Sequence, residues 1–339
     1  IEIHPQPGFI LSLYDKRFGV DTFLAPAARP VVLDDPGDTW GHNQFRWDTE
    51  IGEFKANGVQ ILEQGPVRVA LRVKSTYGRS QIIQDFFLYS GSSQVDVRAR
   101  VEWRETRKML KLRFPLNLNH MRAVYETPYG SIERFANGEE EPGQSWVDVS
   151  GLSKDNGQPF GFSLLNDGCS SFDVQIRDLG MTLLRSPIYA HHMPAEPVNG
   201  VDYPYMDQGW QEFRYTLLPH GASWETAGTV RRAAERNQAA LVLPATFHPH
   251  AALPLSTAYL WAEPENIQVT ALKQAENGEG LILRAFESSR VATLATLHLD
   301  FCGRTLEAHF GPNEIKTFRI PSSVSEPIVE VGLLEWNES

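Results

Sequence analysis

The stretch VDVRARVEW (residues 95–103) alternates without a break: Val95, Val97, Ala99, Val101 and Trp103 are apolar, while Asp96, Arg98, Arg100 and Glu102 are charged. Successive side chains of an extended chain leave on opposite sides, so this pattern predicts a strand with one face in a core and the other in water. Such half-wet strands belong to antiparallel sheets. After the polar break ETRK, the segment MLKLRFPL puts Leu110, Leu112, Phe114 and Leu116 on one face, and 95–116 is expected to form a long hairpin. VRVALRV (67–73) and QIIQDFFLYS (81–90) are joined by a turn around Tyr77, Gly78 and Arg79, and GFILSLYDKRFGVD (8–21) reads as strand, charged turn and strand. Pieces of this kind in series predict an all-β fold.

One helix interrupts the pattern. Ser223 is placed to cap free amides, and Trp224, Ala227, Val230 and Ala234 follow at helical spacing through ETAGTVRRAAERNQ. Beyond it, TAYLWAE, NIQVTALKQA, GLILRAFE, TLATLHLDF and EIKTFRI return to short strands. A chain of 339 residues exceeds what one core usually organises. Two domains are therefore expected: a large β super-sandwich over 1–235 and a small β-sandwich over 236–339, with the crossover in the proline-bearing stretch ALVLPATFHPHAALP. The acidic stretch NGEEEPGQ (137–144) reads as a solvated turn.

Composition narrows the partners. A formal net charge of -11 argues against a nucleic-acid groove, which needs concentrated Lys and Arg. Cys169 and Cys302 stand far apart and outside any zinc-clamping spacing, which suits a reducing, cytoplasmic compartment. The sequence has no apolar run of about 18 residues and no signal-peptide pattern at IEIHPQPG, so no membrane partner is expected. The assembly state stays open between monomer and homo-oligomer.

Motifs for chemistry are sparse. The chain has no phosphate-binding GxGxxG or GxxxxGK[ST] and no GxSxG nucleophile elbow. His191, His192, His248 and His250 lie in proline-bearing stretches and read as loop histidines, so no metal is assigned to them. DDPGDTWGHNQFRWD (34–48) gathers Asp34, Asp35, Asp38, Trp40, His42 and Trp47 in a loop. Aromatic faces stack on sugar rings and carboxylates accept from hydroxyls, so Trp40 and Asp38 are candidates for saccharide contact. The same loop also reads as a rim whose tryptophans plug a sandwich end. Arg185 ends a strand before some twenty loop residues, a length typical of functional loops. It reads either as part of a site or as a structural partner of Asp207 or Asp202.

Several of these stretches carry a resemblance. ILSLYDKRFG (10–19), LKLRFPL (110–116), PYGSIER (128–134), QSWVDVSG (144–151), GFSLLNDG (161–168), LLRSP (183–187) and DQGWQEFRYTLLPHG (207–221) together resemble the region after the catalytic barrel in glycoside hydrolase family 38, the α-mannosidases. LKQAENGEGLILRAFE (272–287) and GPNEIKTFRI (311–320) are similar to that family's last β-domain. The resemblance implies a galactose-mutarotase-like super-sandwich followed by a smaller sandwich. It implies an N-terminal barrel on the same polypeptide, outside this sequence, that holds zinc and the reacting carboxylates and acts on a mannose-containing saccharide. No catalytic residue and no cofactor are then expected within these residues. Arg185 and Tyr125 resemble residues that the family's sandwich lends to the sugar pocket, and Asp207 and Gln208 open the DQG motif beside it. Trp210 and Gln211 depart from the acidic residue and histidine frequent at that turn. A free-standing carbohydrate-binding module is the alternative, as is a mutarotase-like enzyme using His42 with Asp38 as acid and base.

Overall fold

The computed structural model describes residues 1–190, 196–246, 252 and 254–335. The chain divides into two compact units, Ile1–Glu126 with Ile132–Asn237, and Thr127–Ser131 with Gln238–Ser339. In the first, β1 (Glu2–Ile3) pairs with β2 (Ile10–Ser12), and β3 (Tyr14–Asp15) pairs with β4 (Val20–Asp21) as a tight hairpin. There follow β5 (Arg29–Asp34), β6 (Glu50–Glu53), β7 (Lys55–Gln64), β8 (Arg68–Tyr77), β9 (Ser80–Tyr89), β10 (Val95–Trp103), β11 (Lys108–Pro115), β12 (Leu118–Thr127), β13 (Gly130–Arg134), β14 (Asn137–Pro142), β15 (Trp146–Ser153), β16 (Pro159–Asn166), β17 (Ser171–Gln175), β18 (Asp178–Arg185) and β19 (Gly209–Gly221). They build a nine-stranded sheet, in the order β13-β12-β15-β16-β19-β10-β9-β8-β7, and a six-stranded sheet, in the order β14-β17-β18-β11-β5-β6. Apart from β13 with β12, each neighbouring pair in them is antiparallel.

One core lies between these sheets. Val97, Ala99, Val101 and Trp103 of β10 meet Leu110, Leu112 and Phe114 of β11 and Leu179 and Met181 of β18 there. The opposite face of β10 carries Arg98, paired with Glu212, and Arg100, paired with Asp85. That is the outcome the alternation over 95–103 dictates.

The expected hairpin over 95–116 does not form. β10 pairs with β9 and β19, whereas β11 pairs with β5 and β18 in the other sheet. Two apolar faces that sit side by side in a hairpin still need a cover. Here they cover one another, and residues 104–107 carry the chain across the layers with Arg107 at φ 53°.

The acidic stretch is not a solvated turn either. Asn137–Pro142 is an edge strand paired with β17. Lys111 and Arg113 lie on the outer face of β11 and are 0% and 7% exposed, so their charges require buried partners. Glu140 and Asp173 both bind the Lys111 ammonium, and Asp173 takes the Arg113 guanidinium at 2.6 Å.

The helix is shorter than its apolar spacing suggests. It spans Thr229–Asn237, because Gly228 at φ 64° ends the preceding turn and restarts the chain. Trp224 still packs against Trp146, 5.0 Å between ring centroids. Beneath the helix, the buried Asp148 carboxylate accepts from Ser163 Oγ at 2.7 Å and contacts His220 Nε2 at 2.7 Å, and Thr229 Oγ1 meets Ser163 Oγ at 2.8 Å.

The second unit holds β20 (Trp261–Glu263), β21 (Ile267–Gln274), β22 (Leu281–Glu287), β23 (Thr293–Leu299), β24 (Arg304–Phe310), β25 (Ile315–Ile320) and β26 (Val329–Val331). Its sheets run β20-β23-β24 and β21-β22-β25-β26 around Leu283, Ala285, Leu297, Phe310 and Phe318. Among the described residues no helix is long and apolar enough to cross a membrane.

Candidate functional site

Three loop segments converge at one end of the six-stranded sheet: 35–49 after β5, 104–107 before β11, and 186–190 with 196–208 after β18. Strand register explains the meeting. Met109 of β11 stands opposite Leu33 of β5 on one side and Arg185 of β18 on the other. Asp35 lies two residues beyond Leu33, on the same side of the chain, and so falls within reach of Arg185.

The Arg185 guanidinium takes both oxygens of Asp35: Nε donates to Oδ2 at 3.0 Å and Nη2 to Oδ1 at 2.8 Å. The Asp35 side chain is fully buried, and that of Arg185 is 23% exposed. Trp47 Nε1 donates to Asp35 Oδ1 at 2.8 Å, and the Trp47 ring lies 4.6 Å below the guanidinium carbon. Trp47 also packs on Val31, Leu33 and Met109, so it plugs the sheet end. With both oxygens engaged, Asp35 acts as a counter-ion rather than a base. Nη1 of Arg185 donates to no described residue, which leaves its two cationic N–H groups for an incoming acceptor.

Asp207 is not the side-chain partner of Arg185. Its Oδ2 accepts from the Arg185 backbone N–H at 3.1 Å, which fixes the strand end instead. Asp207 sits at φ 52°, and its carbonyl accepts from Gln211 Nε2 at 2.8 Å. Gln208 Nε2 donates to the carbonyls of Glu105 at 2.8 Å and Met206 at 3.1 Å, tying the loop end to the 104–107 crossover. Ser186, fully buried, bonds the Lys108 carbonyl, and Arg107 Nη2 donates to the Pro36 carbonyl.

The two tryptophans of loop 35–49 divide the readings made for it. Trp47 is the plug. Trp40 is 66% exposed and stacks on His42 at 6.0 Å. The buried Asp38 accepts the Trp40 backbone N–H at 2.9 Å and so shapes the turn that presents the ring.

Tyr125 lies elsewhere. It is fully buried in the core, edge-on to Phe172 at 6.3 Å and beneath the Arg134 guanidinium at 5.5 Å, with no contact to Arg185. Its hydroxyl has no hydrogen-bond partner among the described residues, and burial raises its pKa. The structure therefore brings Arg185, Asp207, Gln208, Asp38 and Trp40 to one loop cluster and leaves Tyr125 out. Asp35 as the partner of Arg185 is the residue that sequence reasoning missed. The available signal was its place two residues past a buried Leu33. His191, His192, His248 and His250 lie outside the described residues. No group of three or more His, Cys, Asp or Glu side chains able to hold a metal occurs among the described residues.

The glycosyl hydrolases family 38 C-terminal domain matches residues 1–195, more than half of the 339. The chain belongs to glycosyl hydrolase family 38. The family's C-terminal β-sandwich domain also matches, over residues 266–308. Among curated relatives, this family 38 chain is 26% identical over 306 residues to α-mannosidase G of Dictyostelium discoideum, covering 84% of the chain and 26% of that protein. It is 29% identical over 231 residues to human α-mannosidase 2C1, covering 65% of the chain and 20% of the relative. The chain thus spans about a quarter or less of the length of these relatives. Its fold is shared with an α-mannosidase from Enterococcus faecalis V583 at a TM-score of 0.71 and 17% identity, over 94% of this chain and 41% of that one.

Proposed function

We propose that these residues are the non-catalytic β-sandwich part of a zinc-dependent, retaining α-mannosidase, and that the Arg185 loop cluster borders the sugar pocket of a catalytic barrel on the same polypeptide. The observation that carries this reading is the clamped Arg185. Asp35, Trp47 and Asp207 hold it on a strand end, yet Nη1 meets no acceptor among the described residues, as suits a group that meets a sugar hydroxyl. The family match and the small share of the relatives' length support assigning the chemistry to other residues. Retaining cleavage needs two carboxyl groups about 5 Å apart, one attacking the anomeric carbon and one protonating the leaving oxygen. Asp35, the carboxylate nearest Arg185, is spent on the ion pair. Trp40 would supply an aromatic face at the rim, with Asp38, Asp207 and Gln208 shaping the turns around it. Zinc and the catalytic carboxylates belong, on this reading, to the barrel, and the substrate class is an α-mannoside.

The test is hydrolysis of an aryl α-mannoside by the 339-residue chain, with and without added zinc. No turnover is expected. Turnover that scales with protein concentration through purification would remove the proposal, and tight mannose binding lost in Trp40→Ala would favour an autonomous carbohydrate-binding role instead.

A further inference from the structure

At the opposite end of the same sheet, a cleft of about 550 Å³ opens beside Arg29, Arg113 and Asp178, with Phe9, Pro26 and Pro115 as apolar walls. Asp178 and Arg185 terminate one strand, seven residues and about 23 Å apart, so this cleft and the loop cluster are separate places. We propose that this cleft is a second binding site, for a neutral ring polyol of monosaccharide size.

The argument starts from unmet hydrogen bonds. Arg29 is engaged by Glu50 at 3.2 Å and Glu53 at 2.9 Å. Arg113, 7% exposed, donates through Nη1 to Asp173 at 2.6 Å, while its Nε and Nη2 donate to no described residue. The Asp178 carboxylate accepts no hydrogen bond from a described residue. Its Oδ2 is 3.5 Å from Arg113 Nη1, and its Oδ1 is buried without a hydrogen-bond partner among the described residues. A charged acceptor whose side chain is 31% exposed and a buried charged donor thus stand next to each other, each with capacity unused, and groups in that condition favour a ligand that completes them.

Charge selects the ligand. An anion would satisfy Arg113 but face Asp178, and a cation the reverse. Two adjacent hydroxyls of a neutral polyol supply both needs, one donating to Asp178 and one accepting from Arg113. The Phe9, Pro26 and Pro115 walls suit the C–H face of a sugar ring, and the volume falls in the range of small-molecule sites. Burial also pushes the Asp178 carboxyl up to about 6, so the acceptor is present at neutral pH and fades in mild acid.

Isothermal titration calorimetry of the 339-residue chain with D-mannose at neutral pH tests the site. Saturable binding is expected, weakened at least about tenfold in Asp178→Asn, where the charged acceptor is gone. Ala25 lines the cleft from an exposed position, so Ala25→Trp fills the site without touching the ion pairs and is expected to abolish binding. Absence of saturable heat with the wild-type chain would overturn the proposal. So would binding that survives both substitutions, or binding lost in Arg185→Ala and retained in Asp178→Asn, which would put the sugar at the loop cluster.

Discussion

Asp35 and Arg185, 150 residues apart in the chain, meet as a two-pronged ion pair at 3.0 and 2.8 Å across the first residues of β11. Neither side chain could hold its place alone. The carboxylate is fully buried and would be an unpaired charge, while the guanidinium would swing free of Trp47. Their pairing converts three loop ends into one rigid rim.

Removing one partner should therefore cost more than removing both costs beyond it. Asp35→Ala is expected to destabilise the first unit by about 3 kcal/mol in urea denaturation. The double variant with Arg185→Ala should lose less than the sum of the singles by at least about 1 kcal/mol. Strictly additive losses would show that the pair does not act as a unit.

The two loop tryptophans should behave oppositely. Trp47→Ala removes a ring packed on Val31, Leu33 and Met109 and is expected to cost about 3 kcal/mol. Trp40→Ala, at a ring 66% exposed, should change stability by less than about 1 kcal/mol. Equal losses in thermal melts of the two variants would contradict the division into plug and presented ring.

Asp178 carries a pH signature. Burial raises its folded-state pKa from 3.8 to about 6, so the folded chain binds this proton more tightly than the unfolded chain does. Its contribution to stability is therefore largest in acid, and is lost as pH rises through the window between those two values. Asp178→Asn should stabilise the protein relative to wild type at pH above about 7, with the difference vanishing below about 4. A pH-independent difference would refute the assignment.

Gly161 tests the polar cluster under the helix. A Cβ there would lie 2.4 Å from His220 Cε1 and 2.9 Å from Ser150 Oγ, both held by Asp148. Gly161→Ala is expected to cost about 1–3 kcal/mol through overpacking. A melting temperature equal to wild type would show that His220 moves aside freely.

What local chemistry alone could reveal is visible in β11. Leu110, Leu112, Phe114 and Leu116 all reach the core as the alternation requires, because the pleat sets the side of each residue whatever the rest of the chain does. The same alternation by itself would put Lys111 and Arg113 on a wet face. They are buried because β14 and β17 bring Glu140 and Asp173 against them. Those partners are 29 and 62 residues from Lys111, and no local pattern announces them.

The loop cluster divides the same way. Arg185 at a strand end and the aromatic, acidic character of 34–48 could be read directly, since composition and loop length are properties of the segment itself. Which carboxylate Arg185 takes, and that Trp47 is seated while Trp40 is presented, followed from the register of β5, β11 and β18. The alternation of residues along the chain thus determined that this protein is all-β and which apolar residues turn inward, because hydrophobic alternation acts one residue at a time. Only the tertiary structure decided which strands became neighbours, because pairing β10 and β11 with each other or with distant strands satisfies the same local pattern. The choice fell to the arrangement that let two apolar faces and the buried charges behind them be satisfied together.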